Sequence, residues 1–97
     1  RLPEGLLARL AQREPDGIFC VNDRIASQLV RSEQWFQRPY IVGFDDAPIA
    51  AELGLTTIGI PWDELAANAV DIIRRRLKGE SFPAVHRVVS LQVVVRG

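Results

Sequence analysis

The order of segments predicts an α/β fold, a mainly parallel sheet with flanking helices. Two observations carry that prediction. Three short, nearly continuous apolar runs, GIFCV (residues 17–21), YIVGF (residues 40–44) and LTTIGI (residues 55–60), have the length of strands buried on both faces. They alternate with segments whose apolar residues recur at helical spacing, and strands and helices in strict alternation imply parallel strands joined by helical crossovers.

The elements follow in order. Leu6, Leu7, Leu10 and Ala11 share one face of a helix expected over residues 3–14, with Pro3 and Glu4 suited to its first turn. Pro15, Asp16 and Gly17 form a turn into the first strand. Asn22 stands where a helix N-cap belongs and Asp23 in the first turn, ahead of Ile25, Ala26, Leu29 and Val30 at helical spacing to about Ser32. Residues 33–39 read as a loop with two exposed aromatics, Trp35 and Phe36. After the second strand, Pro48 starts a short helix that Gly54 ends. After the third strand, Pro61 opens the longest helix, reaching about Lys78. Its apolar stripe is Trp62, Leu65, Ala66, Ala69, Ile72, Ile73 and Leu77. Asp63 and Glu64 in its first turn, and Arg74, Arg75 and Arg76 in its last turns, complement the helix dipole. The β-branched tail, residues 84–97, reads as one or two final strands.

Composition narrows the function. Twelve basic and twelve acidic residues cancel, so this segment has no electrostatic footprint for nucleic acid or an anionic membrane. No apolar run approaches the roughly 20 residues of a membrane span. The single cysteine, Cys20, allows no internal disulfide and reads as a packing residue. The single histidine, His86, excludes a two-histidine mechanism within the chain and reads as a surface residue. No cofactor, metal or catalytic residue is expected. The chain has no methionine and opens inside a helix, which reads as part of a longer or processed polypeptide.

Parallel sheets bind ligands beyond the C-terminal ends of their strands. Those ends carry Asn22 and Asp23, then Asp45 and Asp46, then Ile60 and Pro61. A carboxylate accepts two hydroxyl donors, and an amide offers one donor and one acceptor. Together they suit the vicinal hydroxyls of a sugar. Asn22 alone reads more readily as a helix cap than as a ligand group, and Asp46 as the cap of the helix at Pro48. Asp45 is left over, because a cap needs only one of the pair. Aspartates at strand ends also serve phosphoryl transfer, which usually needs a lysine at a neighbouring strand end. The only lysine, Lys78, lies at the far end of a helix.

The motifs PDGIFCVNDRIA, IVGFDD, LTTIGIP, ELAANAVDIIRRRLKGE and VVVRG, in that order, resemble the last third of lactose-repressor/galactose-repressor (LacI/GalR) transcriptional regulators. The resemblance implies a two-lobed, periplasmic-binding-protein-like fold. Residues 1–60 would belong to the lobe far from DNA, residues 61–84 would cross into the DNA-proximal lobe, and residues 85–97 would return. It implies a small sugar or polyol effector bound by Asn22 and Asp45, with Asp23 and Asp46 structural beside them. Ile60 stands where some members place a glutamine, which favours a smaller or more apolar effector. It implies a cytoplasmic homodimer, with Ile25, Leu29, Trp35, Phe36 and Ile49 at the contact, although loops at residues 32–39 and 47–54 are shorter than usual. Operator DNA would be bound only through an N-terminal helix-turn-helix outside this segment. A periplasmic sugar-binding protein of the same architecture is the alternative, and a phosphoryl-transfer enzyme using Asp45 and Asp46 the second.

Overall fold

The computed structural model describes residues 2, 3, 5–80 and 87–97. The elements are α1 (Leu6–Gln12), β1 (Gly17–Phe19), α2 (Asp23–Arg31), β2 (Tyr40–Val42), α3 (Pro48–Leu53), β3 (Thr57–Gly59), α4 (Trp62–Leu77) and β4 (Gln92–Val94). They form two compact units, Arg1–Gly59 with Gln92–Gly97, and Ile60–Leu91.

In the first unit β1 and β2 pair in parallel, with Ile18 opposite Ile41. The ladder continues where Gly43 N–H donates to Thr56 O (2.9 Å) and Asp45 N–H to Ile58 O (2.8 Å), laying the end of β2 parallel to β3. β4 closes the row antiparallel to β3, with Ile58 opposite Val93. The sheet is therefore mainly parallel, as expected, and one segment of the tail forms a strand among the described residues.

Successive strand side chains point to opposite faces, and the described residues of this unit cover one of them. Cys20, Ala26, Leu29, Ala50 and Leu55 are buried together, with Leu7, Leu10, Ile18, Ile25 and Ile41 packed around them. The opposite face carries Phe19, 67% exposed, and Tyr40, 81% exposed. The expectation of strands buried on both faces fails there, because the described residues of this unit bring no helix against that side. Phe19 gains only an edge-to-face contact with Phe44, ring centroids 6.4 Å apart.

Three more expectations are corrected. Leu29, expected at a dimer contact, is 2% exposed and belongs to the core, because the inward stripe of α2 includes it. Trp35, expected as an exposed loop aromatic at the same contact, folds onto the core and its indole N–H donates to Leu29 O at 2.8 Å. An indole packed on the core needs such a partner, and the Leu29 carbonyl, which also accepts the Ser32 N–H at 3.2 Å, has a second lone pair to offer. Phe36 beside it is 96% exposed. The first helix starts later than expected, at Leu6, because Gly5 takes a left-handed backbone (φ 78°).

The second unit is built on α4. Pro61 occupies its N-cap position, Asp63 and Glu64 its first turn and Arg74, Arg75 and Arg76 its last. Trp62, Leu65, Ile73 and Leu77 are exposed, so the expected stripe is not buried among the described residues of this unit. Asp71 gathers Arg74, Arg75 and Arg87, the last also donating to Asn68 Oδ1 at 2.9 Å. His86 and the start of the expected returning strands lie outside the described residues.

Candidate functional site

The polar residues that end β1 and β2 meet at one place. Asn22 is extended (φ −158°, ψ 168°), and its Oδ1 accepts the N–H of Ile25 at 2.8 Å. This cap satisfies one of the orphan donors of α2 and is worth about 1 kcal/mol. It leaves the Asn22 Nδ2 amide without a partner among the described residues, as a free hydrogen-bond donor.

Asp23, one residue on, is completely buried. Its carboxylate accepts from the Thr57 hydroxyl (2.6 Å) and from Ala47 N–H (2.7 Å). It lies against the backbone of Gly43, where any β-carbon would collide with the carboxylate. Asp23 thus joins α2 to β2, β3 and the start of α3. An unpaired carboxylate at this depth would be very costly, and the Thr57 hydroxyl and the Ala47 N–H supply its donors.

Asp45 and Asp46 form the turn out of β2. Both hold positive φ, 103° and 52°. Each such non-glycine residue costs on the order of 1 kcal/mol, and aspartate is among the side chains that tolerate it best. Asp45 is half-buried; its Oδ1 shares the Ala47 N–H at 3.2 Å with Asp23, whose carboxylate is its neighbour. Desolvation, and then the neighbouring Asp23 charge, push the Asp45 carboxyl above its usual range. Asp45 is therefore poised either to accept a hydroxyl or, when protonated, to donate to one.

The capping role expected of Asp46 is corrected. Pro48 opens α3, so the cap position falls on Ala47, one residue later, and no side chain caps that helix. Asp46 instead pairs with Arg96 (Oδ1 to Nη2, 2.9 Å), while its own N–H donates to Thr57 Oγ1 at 3.4 Å. Sequence reasoning missed Thr57, Gly43 and Arg96. Their signals were present: a glycine just before FDD, a hydroxyl inside an apolar strand, and an arginine ending a run of valines.

Ile60 follows β3 and opens the second unit, half-buried. Ile25 and Ile49 are also half-buried. Two cavities of the first unit, about 260 Å³ beside Trp35, Phe36 and Arg38 and about 230 Å³ beside Tyr40, Leu53 and Gly97, are lined by neither Asn22 nor Asp45. Among the described residues, no cluster of three His, Cys, Asp or Glu could hold a metal ion. Cys20 is buried, and that burial raises its thiol above the usual range, as befits packing rather than reactivity.

A parallel sheet with acceptor groups at its strand ends is the frame of a small-molecule binding domain. The chain belongs to the family described as the periplasmic binding protein-like domain, whose model matches residues 2–97. It is 32% identical over 106 residues to the HTH-type transcriptional regulator PtxS of Pseudomonas plecoglossicida, covering 99% of this chain and 31% of that protein. It is also similar to the crystal structure of a probable transcription regulator from Thermus thermophilus. There the TM-score is 0.74 at 25% identity, over 93% of this chain and 38% of that one. The likeness to LacI/GalR effector domains is borne out by these matches. The chain spans only 31% and 38% of the lengths of these two relatives. No helix among the described residues is long and apolar enough to cross a membrane.

Proposed function

We propose that this chain is part of the effector-sensing domain of a cytoplasmic transcription regulator that binds a sugar or polyol. The observation that carries the reading is the carboxyl of Asp45, held half-open at a strand end while its neighbours Asp23 and Asp46 are spent on structure. In this reading Asn22 donates from Nδ2 and Asp45 accepts from hydroxyls. The protein acts by binding and not by catalysis: effector shifts the balance between two conformations of the whole regulator and so changes its affinity for operator DNA, which a segment outside this chain contacts. A homodimer accompanies the reading, with Phe36, Ile25 and Ile49 as its contact residues here. Likeness to two transcription regulators supports the regulator reading.

Calorimetric titration of the intact protein with aldoses, sugar acids and polyols tests the site. One class is expected to bind, and Asp45→Ala to weaken it roughly tenfold to hundredfold, the worth of one charge-assisted hydrogen bond of about 1.5–3 kcal/mol. Unchanged affinity in Asp45→Ala would remove Asp45 from the site. Light scattering on the same preparation should give twice the monomer mass; a monomer at every concentration would end the dimer proposal.

A further inference from the structure

The turn that presents Asp45 is held from outside. Two consecutive aspartates sit in the left-handed region, φ 103° and 52°, where an isolated peptide would not keep them. Asp45 N–H is tied to Ile58 O, Asp46 N–H to Thr57 Oγ1 by a long 3.4 Å bond, and Ala47 N–H to Asp23. The only cation tied to the turn by a hydrogen bond or ion pair among the described residues is Arg96. Its Nη1 donates to Leu55 O at 3.0 Å and its Nη2 to Asp46 Oδ1 at 2.9 Å. The arginine is itself fixed: its backbone N–H donates to Thr56 Oγ1 at 3.0 Å, and that hydroxyl donates to Gly97 O at 2.9 Å. The side chain of Arg96 is 24% exposed and that of Asp46 34%, so the pair is partly open to water.

We propose that Arg96 is a positioning residue for Asp45. By bridging the start of β3 to the Asp46 carboxylate, its guanidinium fork holds the two-aspartate turn in its left-handed form. The fork is needed because the two acceptors, a carbonyl and a carboxylate, are engaged at once; a lysine ammonium carries the charge but lacks the planar geometry. Effector affinity then depends on Arg96 without contact, because only the fraction of molecules with the turn formed can bind.

That consequence rests on the reading of Asp45 as an effector ligand, so the test begins with a readout that needs no effector. In the intact protein labelled with [13Cγ]aspartate, the titration of Asp45 is followed by NMR. Its upward shift comes first from desolvation and then from closeness to Asp23, both of which the turn maintains. Arg96→Ala is expected to bring the Asp45 midpoint down towards the ordinary value, and Arg96→Lys to restore part of the shift. An unchanged midpoint in Arg96→Ala, with the fold intact by circular dichroism, would overturn the proposal. Should that variant fail to fold, Arg96→Lys carries the test alone: a midpoint partly lowered supports the proposal and an unchanged one overturns it. For a sugar found to bind the wild type, Arg96→Ala is expected to weaken binding about threefold to tenfold, the range for losing one part-exposed ion pair that gates the competent state. If the midpoint moves while Asp45→Ala leaves sugar affinity unchanged, the binding reading falls and the positioning role stands.

Discussion

Asp23 in the first unit and Asp71 in the second each collect several partners, yet they do opposite kinds of work. Asp71 attracts three arginines, Arg74, Arg75 and Arg87, at 3.1–3.7 Å. Among the described residues Asp23 has no ion pair with a cation; it takes a hydroxyl and a backbone N–H, and it faces a second carboxyl, that of Asp45. Counting opposite charges would rank Asp71 first. Burial reverses the ranking, because Asp23 is wholly removed from water and Asp71 is not. An exposed pair exchanges one set of good hydrogen bonds for another, whereas a buried carboxylate that loses a donor has no water to replace it.

The sharpest way to break this comparison is at Gly43, which touches Asp23 through its backbone alone. In Gly43→Ala the new methyl would occupy the space of the Asp23 carboxylate, which must then leave Thr57 or Ala47. The expected loss is about 2–3 kcal/mol, from overpacking together with a buried acceptor left short of donors. Urea unfolding should show a lower midpoint with an unchanged slope. A loss within the scatter of surface substitutions would mean that the carboxylate can swing aside, and that Asp23 is not the fixed centre described above.

Much of this was legible in the sequence. Alternating apolar runs predicted a mainly parallel sheet because strand and helix periods differ and their order constrains topology. Asn22 was readable as a cap because capping depends on local geometry, and the backbone accepts the prediction without help from distant residues. The misses share a cause. Asp46 was assigned to a cap on proximity to Pro48, but its real partner is Arg96, 50 residues away. Trp35 was left in solvent because its acceptor, the carbonyl of Leu29, exists only once α2 has ended where it does. Thr57 is 34 residues from the carboxylate it serves. Local signals fix caps and periods; contacts across the sheet depend on register, which no short stretch encodes. Phe19 and Tyr40 show the same limit, since an apolar strand reads alike whether one face or two are covered.

A second prediction sharpens the contrast through pH. The folded state raises the Asp45 carboxyl, by desolvation first and by Asp23 next. The folded protein therefore holds this proton more tightly than the unfolded chain does. The stability associated with it is fully present below the ordinary value of 3.8 and is lost as pH rises through the raised folded value. Asp45→Asn mimics the protonated form. It should raise the melting midpoint at pH 7 and change it little below the ordinary carboxylate range, while weakening effector binding. Stability and function would then pull against each other at one residue, as expected where a site is held strained for binding. A lower midpoint at pH 7 would mean that the ionised form makes a hydrogen bond worth more than its desolvation.

The smallest effect is expected at Asp71. Its carboxyl is held below the usual range, first by the hydrogen bond from Arg87, against some desolvation, and then by the charges of Arg75, Arg87 and Arg74. The sign is opposite to that of Asp45: the contribution is present above the ordinary carboxylate value and fades as pH falls through the lowered one. Its size is another matter. The arginines are one-third to two-thirds exposed, so solvent screens each pair, and holding long side chains in place costs entropy. Asp71→Asn should therefore leave the unfolding midpoint at pH 7 unresolved from wild type in moderate salt. Any difference seen at low ionic strength should vanish at about 1 M salt, where the screening length is roughly 3 Å. Gly43→Ala should lose stability equally at both salt concentrations, because the space around a buried carboxylate contains no ions to screen it. A salt-insensitive loss in Asp71→Asn would show that the arginine cluster is sheltered after all, and that partner number, not burial, ranks these two aspartates.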